Sequence, residues 1–342
     1  MTLPDPVTFI GAPGSPYTRK MRALLRYRRI PYIQVQQMSP EAALLPLPKV
    51  PLLPTFYLPD EHGKIVPVTD STPLIRRFEK EVEGRSALPP DPVIEFLDFL
   101  IEDYADEWLT KCMFHYRWYH KADAKKAGAV LPHWIRIDVT DEQIAPMQKA
   151  ITERQVSRLG VVGSNEGTAP VIEESYRRFL RLFDAHLQTS RFLFGGRPSA
   201  ADFALAGQLT CLAFFDPTPA AVTIEESFRV YAWVEAIEEL SGLPVRREDW
   251  IEQDAISPTL RALLSEVGLV HAPFLKANAE ALARGDQQLE TEIDGRPWVQ
   301  HPFPYQGKCL RWIREAREAL SSADRSQVDA MLSGTGCEIL FE

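Results

Sequence analysis

The stretch Gly14-Ser15-Pro16-Tyr17-Thr18 decides the fold of the first part of the chain. It follows an apolar segment at 7–10, typical of a short buried strand, and it precedes Met21, Leu24 and Leu25, which recur at helical spacing. The pattern predicts a turn that leads from a strand into the N-terminus of a helix. A hydroxyl placed there faces the unpaired N–H groups and the positive end of the helix dipole. The sequence therefore indicates a site that stabilises an anion.

The elements after this turn follow an order that predicts an α/β domain. Further strands are expected near 32–37, 55–58 and 65–68, and Asp70-Ser71 opens a helix that runs to about residue 82. Pro67 places the last strand at a sheet edge, because proline cannot donate to a β-ladder. A helix after Ser39 is expected to stop almost at once, since prolines follow it. The predicted order is β-α-β-β-β-α.

A proline-rich segment at 88–92 predicts a linker, and beyond it the strand signal gives way to helical periodicity. Ser199 and Asp202 have the spacing of a capping box at the start of one of these helices. Near residue 294, an Asp-Gly pair predicts a hairpin, followed by two helices at about 309–320 and 323–332. We therefore expect three parts: an α/β domain at 1–86, an all-α bundle at 92–250, and a C-terminal extension at 251–342 that packs on the bundle and narrows its cleft.

Composition limits the classes of function. The chain has 342 residues, of which 45% are hydrophobic, and a net charge of -9, which argues against nucleic acid or an anionic membrane as the main partner. It contains no apolar run of about 18 residues, and its first residues lack the pattern of a secretory signal. The four cysteines are scattered without a CxxC pair, which favours a packing role in a reducing compartment. A cytoplasmic protein is expected.

At this point the chain resembles the cytosolic glutathione transferase superfamily. The resemblance is carried by the segment 15–22 after the first strand, a strand-opening proline at 51 or 54, Asp70-Ser71, and the segment 199–202 in the helical part. It implies a thioredoxin-like first domain, glutathione as co-substrate, no metal cofactor and a homodimer. Ser15 and Thr18 stand where the similar glutaredoxin site has cysteines, so a mechanism through a protein thiol is excluded there.

The resemblance also implies which residues bind and activate glutathione. Ser15 would donate a hydrogen bond to the thiolate, and Tyr17 is the alternative hydroxyl. The main chain before a cis-proline would hold the cysteinyl part of glutathione. Pro51 and Pro54 both qualify, and we favour Leu53-Pro54 because a cis-proline at 51 would put Pro54 inside a central strand.

The ends of the tripeptide imply further contacts. Asp70 would pair with the γ-glutamyl ammonium, and Ser71 with the α-carboxylate at a helix N-terminus. Lys49 is the candidate for the glycine carboxylate, although the shortened helix before it departs from the family pattern.

Side chains in the helical part give weaker signals. Tyr104, Trp108 and Tyr116 are candidates to line a pocket for an apolar substrate, although ordinary helix packing explains them equally well. The carboxylates of residues 102, 103, 106 and 107 are expected to form a solvated face. His115 and His120 lie five residues apart rather than four, which argues against a zinc site on one helix face.

These expectations converge on a serine-type glutathione transferase with a detoxification-like role, acting on a small apolar electrophile. The alternative is a non-catalytic protein of the same fold that binds apolar ligands or acts as a scaffold. The long extension and the shortened helix after Ser39 favour that alternative.

Overall fold

A computed structural model describes residues 3–342, so the first two residues of the predicted N-terminal domain lie outside the described part. The N-terminal part is a four-stranded mixed sheet with strand order β2-β1-β3-β4, in which β1 and β2 are parallel and the other pairs antiparallel. Its elements are β1 (Val7–Gly11), α1 (Pro16–Arg28), β2 (Tyr32–Gln36), β3 (Thr55–Pro59), β4 (Ile65–Val68) and α2 (Ser71–Glu81). This thioredoxin-like arrangement confirms the predicted order of elements.

Local sequence explains the boundaries of these elements. Pro67 lies in β4 at the edge of the sheet, where its missing N–H is not needed by a further strand. The expected short helix after Ser39 is a single 3₁₀ turn, Ala42–Leu44. Phe9 of β1 stacks on Phe56 of β3 with ring centroids 4.8 Å apart, and both are fully buried under α1 and α2.

The second part is helical and begins with one long, interrupted helix. In this helix, α3 passes through a π-helical segment (Ala105–Leu109) into α4 without a break. A second helix, α8, is also followed by a π-helical segment, at Thr210–Phe215. The helices are α3 (Pro92–Tyr104), α4 (Thr110–Tyr119), α5 (Lys121–His133), α6 (Asp141–Val156), α7 (Ala169–Leu187), α8 (Ala200–Leu209), α9 (Pro217–Glu226) and α10 (Phe228–Ile237). The predicted capping box is present: Asp202 accepts a hydrogen bond of 2.9 Å from the main-chain N–H of Ser199.

The C-terminal residues form further elements on this helical layer. They are α11 (Pro258–Glu266), α12 (Ala272–Arg284), β5 (Leu289–Ile293), β6 (Arg296–Gln300), α13 (Pro304–Ala319) and α14 (Ser322–Leu332). The predicted Asp294-Gly295 hairpin is observed as the β5–β6 pair. Trp298 of β6 is fully buried against Trp108, with ring centroids 5.3 Å apart. The extension therefore shares a core with α3 and α4.

Two properties of the described chain bear on its class. All four cysteines are buried as free thiols. Among residues 3–342, no helix combines the length and the apolar character that crossing a bilayer requires.

Candidate functional site

A cavity of about 470 Å³ lies where the sheet domain, the α3–α4 helix and the extension meet. Its volume is in the usual range for small-molecule sites. Each of the three parts contributes to the wall. The sheet domain supplies Tyr17, Val50, Leu52, Leu53, Pro54, Asp70, Ser71 and Thr72; the helical part supplies Phe99, Asp103, Asp106, Glu107, Thr110, Lys111, Phe114, Arg158, Val161 and Val162; and the extension supplies Phe303, Tyr305, Gln306, Cys309 and Trp312.

Ser15 lies next to this cavity, at the N-cap of α1. Its Oγ accepts a hydrogen bond of 3.2 Å from the main-chain N–H of Thr18, which caps the helix. The same hydroxyl donates to the carbonyl oxygen of Leu53 over 3.5 Å, the outer limit of a hydrogen bond. Because that bond is long, the proton is readily redirected to a better acceptor. Ser15 is half-buried and is not itself part of the cavity wall, whereas Leu53 is.

The bond between Leu53 and Pro54 is a cis peptide. Pro54 is buried at the start of β3, and its ring and Leu53 both line the cavity. Pro51, the other candidate from the sequence, is exposed. Leu53 thus presents its main chain between Ser15 and the cavity.

Asp70 and Ser71 lie side by side at the N-terminus of α2, on the cavity wall. Ser71 Oγ accepts a hydrogen bond of 3.2 Å from Lys20 Nζ, so its own proton stays available to a ligand. Lys20 is fully buried and pairs with Glu102 Oε1 (2.7 Å) and Asp106 Oδ2 (2.5 Å). The N-terminus of α2 favours a carboxylate at this point, and Lys20 orients the Ser71 hydroxyl.

Two side chains of α13 already contact Asp70. Tyr305 donates a hydrogen bond of 3.0 Å to Asp70 Oδ2, and Lys308 Nζ lies 3.5 Å from the same oxygen. The Asp70 carboxylate therefore already interacts with a phenol and an ammonium group from a helix more than 230 residues later in the chain. An incoming ammonium at Asp70 must share this carboxylate with Lys308 or displace it.

The Tyr17 hydroxyl does not face Ser15. It donates to the carbonyl oxygen of Asp106 at 2.8 Å and contacts Thr110 Oγ1 at 2.9 Å. Burial raises the pKa of Tyr17 well above its usual value, and the charge of nearby Glu107 adds to this. Both contacts engage the Tyr17 hydroxyl with the helix that α3 and α4 form.

The carboxylates at 102, 103, 106 and 107 do not form the expected solvated face, because all four are buried. Glu102 is paired with Arg76 and Lys20, and these cations lower its pKa to about 2 against the effect of burial. Burial raises the pKa of Asp106 to about 7 and that of Glu107 well above its usual value. The expectation failed because α13 and the π-helical segment at His271 cover this side of the helix: His271 Nε2 lies 2.7 Å from Asp103 Oδ2, and Gln306 donates to Glu107 Oε2 over 2.9 Å.

The three aromatic candidates for a substrate pocket belong to the core. Tyr104, Trp108 and Tyr116 are each at most 2% exposed, and none is on the cavity wall that residues 3–342 form. Trp108 Nε1 donates to Ser175 Oγ on α7 (3.0 Å), and Tyr116 packs edge-on against Tyr176 of the same helix. The periodicity correctly marked one helix face, but α7 covers that face, and the cavity lies on the neighbouring one. Lys49 is exposed and is not on the cavity wall.

Sequence reasoning missed Lys20 and the residues of α13. For Lys20 a signal existed: it lies at helical spacing from Leu24 and Tyr27 on the apolar face of α1, and a run of carboxylates elsewhere can pair with it. For Tyr305 and Lys308 none existed, because nothing local to them points to Asp70.

Two family models match the chain. The model "Glutathione S-transferase, N-terminal domain" matches residues 9–86, and "Glutathione S-transferase, C-terminal domain" matches residues 148–236. The first match contains Ser15, Pro54, Asp70 and Ser71. The whole extension, 251–342, lies beyond both matches. No match was found among curated protein sequences.

Several solved structures have a similar shape over part of their length. A GST-like protein from Pseudomonas syringae is 18% identical, with a TM-score of 0.43, over 68% of this chain and 67% of that one. A glutathione transferase from Pseudomonas putida, with one glutathione disulfide bound per subunit, is 14% identical, with a TM-score of 0.42, over 71% and 93%. One from Burkholderia graminis, with two glutathione molecules bound per subunit, is 16% identical, with a TM-score of 0.43, over 71% and 90%.

All three TM-scores are below 0.5, so the similarity to glutathione S-transferases is carried by the two domain models. The two domain models match in the same order along the chain as the sheet domain and the helical layer. The chain is thus similar to the two domains of glutathione S-transferases over residues 9–86 and 148–236.

Proposed function

We propose that this protein is a glutathione-dependent transferase in which Ser15 stabilises the glutathione thiolate for attack on a small, mainly apolar electrophile. One observation carries the proposal: the Ser15 hydroxyl, at the N-terminus of α1, lies beside the Leu53 main chain, and Asp70 and Ser71 continue the same wall. Ser15 would contact the thiol, Leu53 the cysteinyl main chain, and Asp70 with Ser71 the γ-glutamyl end. This is the order of these parts along glutathione.

The energetics of activation are compatible with this arrangement. A thiol with an ordinary pKa of about 8.5 must lose its proton to react, and lowering that pKa by about two units requires about 2.7 kcal/mol. A hydrogen bond to a charged group contributes about 1.5–3 kcal/mol. The N-terminus of α1 adds about 0.3–1 kcal/mol for an anion in its first turn. Ser15 and the helix end together contribute about 1.8–4 kcal/mol, a range that includes the required value.

In the proposed reaction, the thiol proton leaves to solvent and the thiolate sulfur forms a bond to the electrophilic carbon. With an aryl halide, the carbon–halogen bond breaks and the halide leaves with the electron pair. With an epoxide or an enone, the pair of the broken C–O bond or of the C=C π bond forms an alkoxide or an enolate, which takes a proton from solvent. The electrophile would lie in the cavity between Leu52, Phe99, Phe114 and Trp312, whose side chains are apolar. Ser71, with Lys20 behind it, would hold the α-carboxylate, and Asp70 would hold the ammonium in competition with Lys308.

A second candidate function is non-catalytic binding of an apolar ligand. It is favoured by two observations: Asp70 already contacts Tyr305 and Lys308, and Ser15 is not on the cavity wall. Calorimetry with glutathione and a panel of aryl halides, epoxides and enones separates the two functions. Transfer would require glutathione binding and turnover that falls strongly in Ser15→Ala, whereas binding without turnover of any electrophile would favour the second function.

The expected homodimer and the cytoplasmic location belong to the same proposal. Sedimentation of the purified full chain at several concentrations tests the first. Fractionation of the source cells tests the second.

A further inference from the structure

Three potential metal ligands meet away from the cavity. They are His115 on α4, His120 between α4 and α5, and Glu173 on α7. Glu173 Oε1 lies 3.2 Å from His115 Nε2 and 3.1 Å from His120 Nε2. One ligand atom from each residue lies within 4.8 Å of the other two. None of the three residues lies on the described wall of the cavity.

The end of α4 explains why the spacing of the histidines did not predict this cluster. Five residues along a continuous helix would point two side chains to different sides. However, α4 ends at Tyr119, and His120 has an extended backbone with φ -81° and ψ 127°. Its ring therefore turns back toward the helix, and the two imidazole centroids are 5.5 Å apart.

The distances fit the edges of a coordination tetrahedron. With zinc–nitrogen and zinc–oxygen bonds of about 2.0–2.2 Å, neighbouring ligand atoms are separated by about 3.4 Å. The two observed separations, 3.1 and 3.2 Å, are close to that value. The third edge joins two imidazole nitrogens that lie within 4.8 Å of each other.

A further hydrogen bond orients the buried ligand. His115 Nδ1 lies 2.7 Å from Ser164 Oγ, and both residues are buried. When Nδ1–H donates to Ser164, the lone pair on Nε2 points toward Glu173 and is free to bind a metal. Partners of this kind fix the ring orientation of metal-bound histidines.

We propose that His115, His120 and Glu173 form a site for a zinc-type divalent transition ion. Two imidazoles and one carboxylate are a ligand set that suits Zn²⁺, with a solvent molecule in the fourth position. The His120 and Glu173 side chains are 28% and 37% exposed, so an ion can enter from solvent, whereas His115 is fully buried. The proposed ion links α4, α5 and α7 and takes no part in the transferase chemistry.

Titration of the full chain with ZnCl₂ after chelator treatment tests the proposal. Isothermal calorimetry should show saturable binding of one ion per chain. His120→Gln and Glu173→Gln should each weaken it by about tenfold or more, because each removes a ligand. The matched control is Glu174→Gln, the next carboxylate on α7, whose partner is Arg181. It should bind as the wild type does.

The ligand variants and the location of the ion in crystals distinguish binding at this site from binding elsewhere in the chain. His115 is buried, so the test relies on the two partly exposed ligands and does not require a His115 variant to fold. Anomalous scattering at the zinc edge from soaked crystals should place the ion between the three ligand atoms. Absence of saturable binding in the wild type would overturn the proposal, as would binding that both ligand variants retain unchanged.

Discussion

Replacing Ser15 by Ala should raise the pKa of the bound glutathione thiol. The variant loses the hydroxyl that contacts both the α1 N-terminus and the Leu53 carbonyl. If that hydroxyl contributes about 1.5–3 kcal/mol to the thiolate, its removal raises the thiol pKa by about one to two units. At pH 7, a rise of the thiol pKa from about 6.5 to about 7.5–8.5 should lower the thiolate fraction, and with it kcat/KM, by about 3–25-fold.

The assay is a pH titration of the ultraviolet absorbance of the bound thiolate, together with kcat/KM against pH for one electrophile. Ser15→Thr keeps a hydroxyl and should retain a low thiol pKa. Loss of a helix cap alone destabilises the fold by about 0.5–2 kcal/mol. Thr140→Ala, which removes the cap of α6, controls for that effect and should leave the thiol pKa unchanged. An equal thiol pKa in Ser15→Ala and the wild type would refute the reasoning.

Three further predictions concern the surroundings of the site. Lys308→Met should tighten glutathione binding by up to about fivefold, because Lys308 competes with the ligand ammonium for Asp70; weaker binding by calorimetry would show instead that the Lys308 side chain helps to hold the ligand. The fold holds the Asp106 proton up to about pH 7, whereas the unfolded chain releases it near pH 4. The free energy of unfolding should therefore decrease as the pH rises through this window, and Asp106→Asn should flatten that slope in urea titrations; an unchanged slope would contradict the assignment. Trp298→Ala should cost about 3–5 kcal/mol of unfolding free energy, because the side chain is fully buried. The exposed neighbour Val299→Ala should change it by less than about 0.5 kcal/mol, and similar values for the two variants would mean that the extension is not part of the core.

The sheet domain was predictable because its signals are local. The strand before Ser15, the helix that begins at Asp70-Ser71 and the edge position of Pro67 each follow from a few neighbouring residues. The same holds for the capping box at Ser199 and for the hairpin at residue 294. Each depends on hydrogen bonds between residues close in sequence.

The cavity was not predictable to the same extent, because distant segments determine which helix face is covered. From the sequence, the carboxylates at 102, 103, 106 and 107 are predicted to form a solvated face. In the structure, α13 and the segment near His271 cover them. Asp70 meets Tyr305 across 235 residues of sequence. Tyr104 and Trp108 had the right period for a buried face, but periodicity does not tell whether a ligand or another helix covers it.

A crystal structure of the full chain with glutathione tests the central claim most directly. The account predicts the sulfur within hydrogen-bonding distance of Ser15 Oγ, the cysteinyl main chain paired with Leu53, and the α-carboxylate at Ser71. A sulfur bound beside the Tyr17 hydroxyl, or anywhere beyond reach of Ser15, would contradict it.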